Sequence, residues 1–537
     1  MALLPDVNRP RTRAAENFRY MRELLTSLMP EMLLAAAALA LFLLGCGRRP
    51  AYRTAAPWIA LAAIVAALLL HPLPVVDTAG DAPRPVRIDM PAFYLRVLSL
   101  LLSAVLLLLF WPTRADRTGN SAVSYGEDAG EFFGLFLLSL AGLLLATIAN
   151  DLIVLLLALE LAAIPTYIMI AVSRRVTVAQ EAALKYFFLG ALSAAMMLLG
   201  FSYLYGIAGT TNLQQISAAI RRGLSDASAP ALNPLQHAGV VLVVLSLAFK
   251  MAAFPFHFYV GDVYEGAATP VGAFLAYVPK VAGLAVLLRI AGVVGGPGFA
   301  VTPAMNKLLW IMAVATMTVG NVLALLQSNV KRVLGYSSMA HSGYMLAGVA
   351  AMLVPGSAPG ALAGVLFYVA AYGLMSVAAF AVLMELPGRW RPDGAETFDD
   401  IAGAGREHVA LGLAMAVCCL GLTGIPLTVG FLGKFLLIKP ALGGGLVWLA
   451  LILVVNSAIS ACYYLRIVAA MFLPPDGPVR AEAPSPAAGQ TPVLVAIILS
   501  VAGTIALGSI PQAARALIND AWSAVEQRTV ETHWAAK

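Results

Sequence analysis

Charge is the scarcest commodity in this chain: only 12% of its 537 residues are Asp, Glu, Lys or Arg. Soluble globular domains carry about a quarter, so this composition excludes them. Cysteine is equally sparse, with Cys46, Cys418, Cys419 and Cys462 forming no C-x-x-C or clustered spacing. That pattern argues against an iron–sulfur or zinc site and reads as buried apolar thiols. No G-x-G-x-x-G follows a strand pattern, and Gly295-Gly296-Pro297-Gly298 reads as a turn between helices. If redox chemistry drives this protein, it takes place in another chain. Lysine is the last scarcity, supplying only eight of the 34 basic residues.

What the chain has is apolar length. Hydrophobic residues make up 61% of it, and runs of about 17 to 25 such residues span a hydrocarbon core as helices. About fourteen runs are counted, near 28–45, 57–72, 91–111, 132–149, 151–172, 181–206, 238–258, 270–291, 305–327, 334–353, 359–384, 408–438, 443–471 and 492–511. None alternates polar with apolar residues as a barrel strand does, so the expected fold is an all-α polytopic membrane protein. The second run is short and the twelfth overlong. The longer connections, at 112–130, 207–237, 385–407 and 472–491, leave no room for a separate soluble domain.

Basic residues in the loops set the expected orientation. With fourteen spans, one side collects Arg48, Arg49, Arg53, Arg114, Arg117, Arg174, Arg175, Lys331, Arg332, Arg389, Arg391 and Arg406. That side reads as cytoplasmic and both termini as outer, although Arg9, Arg11, Arg13, Arg19 and Arg22 favour the opposite placement. The tail shows no clear signal-peptide cleavage pattern. Leu43-Leu44-Gly45-Cys46 looks like a lipoprotein cleavage box, but the region before it is long for a processed signal.

Four of the few lysines, Lys185, Lys250, Lys280 and Lys434, fall within long apolar runs. An ammonium can lose its proton where a guanidinium effectively cannot, so lysines kept at membrane depth point to proton handling. Glu160, in LIVLLLALELAAIPTYIMIA, is the clearest mid-helix acid, and Lys185, one helix later, reads as its partner, in a coupling pair or a fixed structural one. Lys250 heads SLAFKMAAFPFHFYVGDVYEGAATPV, where Pro255 can break the helix and expose carbonyls. A continuous helix would put His257 on the face of Lys250, seven residues on, unless proline shifts the register. His257 then relays protons or simply packs as a hydrogen-bonded core residue. Asp262 and Glu265, at the helix end, read more readily as solvated loop residues. Lys280 follows Pro279, and Lys434 lies beyond Pro426 among Gly424, Gly430 and Gly433. Snorkelling to the interface is the competing reading for both, while Lys307, Lys331 and Lys439 read as interfacial.

Two lysines near proline-broken helices in separate halves suggest inverted repeats of five helices, a common transporter plan. The expected divisions are 1–130 for the tail and helices 1 to 3, 131–292 and 305–471 for the two repeats, and 472–537 for helix 14 and the C-terminal tail.

Four stretches carry a resemblance: the LEL around Glu160, PFHFYVGDVYEGAATPVGAFLAYVPK from Pro255 to Lys280, NVKRVLGYSSMAHSGYMLAG from Asn329 to Gly348, and GIPLTVGFLGKF from Gly424 to Phe435. From about Glu131 to Arg466 the chain resembles the antiporter-like membrane subunit N of proton-pumping NADH:quinone oxidoreductase, respiratory complex I. DVYEGA is the specific element, since the related subunits L and M and sodium/proton antiporter subunits usually differ there. The resemblance implies fourteen helices, two inverted five-helix bundles and no cofactor in this chain, with FMN, iron–sulfur clusters and quinone in partner subunits. It implies Glu160 and Lys185 as coupling pair, Lys250 as central proton carrier, Lys280 as bridge, Lys434 as carrier of the second half, and His257 and His341 as relays. His341 reads equally well as a packed polar residue. The implied partners are subunits M, K, J and A and membrane lipids, with no nucleic acid, in a bacterial plasma (inner) membrane. The alternatives are a subunit of a multisubunit sodium/proton antiporter and a non-pumping scaffold. The chain departs from the family's H-x-W-x-P-D at His257 to Asp262 and from GIPPTAGF at Gly424 to Phe431, changes that touch helix geometry and no titratable group.

Overall fold

The computed structural model describes residues 18, 20–47, 50–73, 84–111, 128–174, 176–225, 234–295, 303–354, 357–386, 396–474, 491–510, 512 and 515–519. Arg9, Arg11, Arg13, Arg19, Arg48, Arg49, Arg114, Arg117, Arg175, Arg389 and Arg391 lie outside the described residues, as does the Gly296-Pro297-Gly298 turn. Among the described residues there is no strand, only three isolated β-bridges.

After a short segment Tyr20–Ser27 come α1 (Met29–Gly45), α2 (Pro50–Leu69), α3 (Met90–Leu109), α4 (Ala129–Ile148), α5 (Leu152–Ser173) and α6 (Thr177–Ala208). They are followed by α7 (Leu213–Ser225), α8 (Pro234–Lys250), α9 (Val260–Gly266), α10 (Thr269–Gly295), α11 (Pro303–Leu325), α12 (Val330–Met352) and α13 (Ala358–Glu385). The chain continues with α14 (Phe398–Ile401), α15 (Ala404–Glu407), α16 (Val409–Thr423), α17 (Val429–Gly443), α18 (Val447–Phe472) and α19 (Thr491–Ser509).

Ten of these helices are long and apolar enough to cross a membrane, or up to twelve if the two pairs bent by 59° and 119° each count as one span. Length and apolarity alone therefore stop short of fourteen. The shortfall has a physical cause. Breaks shorten α8 and α17, and α12, though 23 residues long, spends its apolarity on Lys331, Arg332, Ser337, Ser338 and His341.

Side-chain caps fix where several helices begin. Asp89 accepts from the Ala92 N–H at the start of α3, Asp151 from Ile153 at α5, and Asn329 from Arg332 at α12, each satisfying an amide that has no intrahelical partner. At α14 Thr397 and Asp400 form a reciprocal capping box.

Helix α10 is the hub. Apart from Lys280 and Arg289 it is apolar all round, as befits a helix enclosed by others, and it packs against α3, α4, α5, α8, α12 and α13. At one end of the bundle, here the first end, α1, α3 and α5 begin, and Asn150 and Asn212 both donate to the Arg84 carbonyl, at 2.9 and 3.0 Å. At the opposite, second end Glu396 accepts from both Lys331 and Arg174, each at 2.9 Å. Lys331, expected at the interface, is instead 1% exposed, because Glu396 and the carbonyls of Glu265 and Ala267 surround its ammonium.

Candidate functional site

Two helix breaks organise the polar interior. Helix α8 stops at Lys250 and the backbone leaves the helical path, with Ala252 at φ +55° and a cis Phe254–Pro255 peptide, before α9 begins at Val260. Thr316 takes up the freed Phe254 N–H at 3.0 Å, and Tyr259 donates to the Phe249 carbonyl at 2.9 Å. This irregular backbone is tolerable at depth because protein, and not lipid, satisfies it. The break also ends the idea that Lys250 and His257 share a helical face, since residues 251–259 are not helix. His257 is buried, stacked between Phe254 and Phe258, and its Nδ1 has no partner.

Lys250, almost completely buried, donates to Glu160 Oε1 at 3.0 Å. Glu160 is thus paired as a mid-helix carboxylate must be, but with Lys250 and not with Lys185. The reason is depth. Helices α5 and α6 are antiparallel, and Glu160 lies 13 residues from the second end while Lys185 lies eight, a mismatch of roughly 8 Å at 1.5 Å per residue. Lys185 instead meets Asp262 at 2.6 Å and Glu181, one turn back, at 2.7 Å, on a partly exposed face. Asp262 and Glu265, read as solvated, are held by Arg332 at 3.3 and 2.7 Å.

Lys250 also leans on the hub. A Cβ on Gly283 would lie 3.0 Å from the Lys250 Cβ, which puts the lysine stem against α10 one turn from Lys280. Lys280, 3% exposed, donates to Ser338 Oγ at 2.5 Å, and that oxygen sits 3.0 Å from the Tyr264 hydroxyl. His341 lies one turn further along α12. Its Nδ1 is 2.6 Å from the Tyr368 hydroxyl and its Nε2 is 3.1 Å from that of Tyr464, which in turn bonds Ser337.

The second break, at Gly424 (φ +87°) and Leu427 (φ +74°), ends α16 and leaves its last carbonyls without helical partners. Lys434, on α17, occupies that position: it donates to Leu422 O at 3.0 Å, Thr423 O at 2.8 Å and Ser457 Oγ at 2.8 Å. Its ammonium also stands 4.7 Å from the centre of the Tyr344 ring, a cation–π distance. A positive charge at a helix C-terminus, with carbonyls turned toward it, is favourably placed.

The structure thus brings together Glu160 with Lys250, aligns Lys280 and His341 beyond them, and ends on Lys434; it leaves Lys185 and His257 off that line. Sequence reasoning missed the hydroxyls that fill the gaps, Tyr264, Ser338, Tyr368 and Tyr464. One signal was available: Ser338 and His341 follow Lys331 on one stripe of α12. All four cysteines are unpaired; Cys418 and Cys419 are buried, but Cys46 and Cys462, also read as buried thiols, are exposed, and the described residues hold no group of three metal-ligating side chains.

Broken helices with charged side chains at the breaks, set in an apolar bundle, define a polytopic protein of transporter-like build. The transmembrane family described as NADH:quinone oxidoreductase/Mrp antiporter matches residues 149–460. NADH-quinone oxidoreductase subunit N of Trichlorobacter lovleyi is 36% identical over 488 residues, 91% of this chain and 94% of that protein. The subunit N of Mycobacterium tuberculosis is 37% identical over 410 residues, 75% of this chain and 74% of that one. Among solved structures, a chain of respiratory complex I from Thermus thermophilus matches with a TM-score of 0.70 at 31% identity, covering 90% of this chain and 97% of its own. A chain of the Mrp complex from Dietzia sp. gives a TM-score of 0.73 at 20% identity, over 95% and 99%, a likeness of fold alone. The chain belongs to the NADH-quinone oxidoreductase subunit N family.

Proposed function

We propose that this chain is a proton-translocating membrane-arm subunit of an NADH:quinone oxidoreductase, and that protons move along the line Glu160–Lys250, Lys280, His341, Lys434. The observation that carries this reading is the line itself: three buried lysines, each on an oxygen partner, joined by hydroxyls and a histidine through an otherwise apolar bundle. Ionisable groups are costly at that depth and are functional by default.

The coupling element is the Glu160–Lys250 pair. While closed, Glu160 stabilises the charged form of Lys250. When the pair opens, Lys250 loses that support and passes its proton toward Lys280. Parting unit charges about 4 Å apart at an effective dielectric near 20 costs about 4 kcal/mol. Raising one charge through the membrane costs about 2.3 kcal/mol per 100 mV, so one such opening is of the right order to drive one proton. His341, between two tyrosine hydroxyls, passes protons on by exchanging which ring nitrogen donates. Lys185 with Asp262, and His257 beside the first break, belong to the approach to this line from the second end.

The order of elements supports a division into 131–292 and 305–471. Each series of five spans, α4 to α10 and α11 to α18, has a broken element in fourth place, and an odd count inverts the second relative to the first. Arg53, Arg174, Lys331, Arg332 and Arg406 belong to the second end, which supports a cytoplasmic second end and termini on the outer side of a bacterial plasma membrane. FMN, iron–sulfur clusters and quinone belong to partner subunits, and the neighbours are subunits M, K, J and A. Purification of the tagged chain from its native membrane in mild detergent, with mass spectrometry of what accompanies it, tests this placement. Flavin and iron–sulfur subunits are expected; recovery alone, or with small antiporter subunits only, overturns it.

A further inference from the structure

A second buried ion pair lies outside the line described above. Arg96 of α3 is 0% exposed and places Nη2 at 2.8 and 2.7 Å from the two carboxylate oxygens of Glu31 on α1, and at 3.3 Å from the Ser27 carbonyl. Ser27 also lines a surface pocket at the first end of the bundle, together with Tyr20, Glu23, Arg84 and Arg87. The pair therefore stands between the protein interior and that surface.

If the pair served only to clamp α1 to α3, Nη2 alone would suffice. Yet Arg96 Nε and Nη1 are buried without a partner, and so are the hydroxyls of Ser99, Ser103 and Tyr277. Arg96, Ser99 and Ser103 stand at i, i+3 and i+7, on one face of α3. Tyr277 belongs to α10, one turn from Lys280. The Tyr277 ring is wedged where α3, α10 and α13 meet: a Cβ on Gly373 would lie 2.8 Å from that ring and 2.5 Å from Leu102. Orphaned polar atoms are rare inside proteins, and where several are grouped they are sites for ordered water.

Building on the proton-translocation reading, we propose that Glu31, Arg96, Ser99 and Tyr277 form a hydrated branch that carries protons between Lys280 and the first end of the bundle. The Glu31–Arg96 pair is its gate. A proton leaving the Lys280 ammonium is taken up by a water or hydroxyl, which gives its own proton to the next group. Glu31 receives the last one on a carboxylate oxygen, is neutralised, and lets go of Arg96. It returns to the carboxylate by releasing that proton at the surface pocket, and the pair closes again. Arg96 keeps its charge throughout, since a guanidinium effectively never deprotonates.

The test uses the assembled complex in proteoliposomes, measuring protons moved per electron delivered to quinone for Glu31→Gln, Tyr277→Phe and Lys250→Ala. Glu31→Gln and Tyr277→Phe are expected to assemble, to retain electron transfer, and to lower the ratio, though by less than Lys250→Ala does, because the path through His341 and Lys434 remains. An unchanged ratio in both, with Lys250→Ala lowering it, overturns the branch and leaves the main line standing. An unchanged ratio in all three overturns the translocation reading and the branch with it. A second readout holds even where a variant assembles poorly. In a chain with its four native cysteines replaced, Ser99→Cys is expected to react with a small hydrophilic thiol reagent, applied from the first end, at least about tenfold faster than Leu100→Cys. Equal rates at the two positions mean that the branch is dry, and overturn it.

Discussion

Single residues here are worth what their partners make them. Glu396 holds two buried cations, Lys331 and Arg174, so the three positions are not equivalent. Glu396→Gln leaves both cations without their carboxylate and is expected to cost about 3 to 5 kcal/mol of stability, the range for breaking a buried ion pair. Lys331→Gln leaves Glu396 on Arg174 and is expected to cost clearly less. Thermal unfolding of the two purified variants checks the order. The same logic separates two lysines that look alike in the sequence. Lys185→Ala removes a partly exposed ammonium whose acid, Asp262, keeps Arg332, so proton translocation is expected to fall much less than in Lys250→Ala. Equal losses would restore Lys185 to the coupling role that its nearness to Glu160 in sequence suggests. Which residues were costly to bury was legible in part: Lys250, Lys280 and Lys434 stood out as charges in apolar runs, whereas Lys331 read as interfacial and the buried Arg96–Glu31 pair drew no notice. Which of them pair was not legible, because pairing depends on depth, and antiparallel neighbours count depth from opposite ends.

At the scale of elements, the breaks are the informative parts, and the second of them rests on glycine. A Cβ on Gly430 would stand 1.9 Å from the Gly421 carbonyl oxygen, so α17 reaches α16 only because that position has no side chain. Gly430→Ala is expected to destabilise the protein by about 3 kcal/mol or more, since backbone and not a flexible side chain blocks the space. Gly424→Ala meets a different obstacle, a left-handed φ of +87° together with the Lys434 stem 2.9 Å away. Its stability cost is expected to be smaller, about 1 to 2 kcal/mol, but it is expected to displace Lys434 from Leu422 and Thr423. Loss of proton translocation at near-native melting temperature in Gly424→Ala, and poor assembly in Gly430→Ala, distinguish the two. Proline marked both breaks in the sequence, and glycine the second as well. That Lys250 precedes one break and Lys434 follows the other was legible too; that Lys434 reaches back to the carbonyls its break sets free was not.

For the molecule as a whole, the enclosed helix α10 joins the two halves. Lys250 rests against it at Gly283, Lys280 projects from it to Ser338 of α12, and Tyr277 reaches from it toward α3. Charge moving on one side of this helix is felt on the other across a few ångströms of low-dielectric protein. The all-helical membrane class was plain from composition, and the family from DVYEGA and its neighbours. The polar line was only partly visible, because tyrosine and serine hydroxyls in apolar helices look like ordinary packing until their partners are seen. The most direct measurement of the central claim is the number of protons moved per electron by the purified complex carrying Glu160→Gln, beside the unaltered complex, in sealed proteoliposomes. The expected result is a lower ratio with quinone reduction continuing, because Lys250 has lost the charge that gates it. A ratio equal to that of the unaltered complex would contradict the Glu160–Lys250 pair as the coupling element.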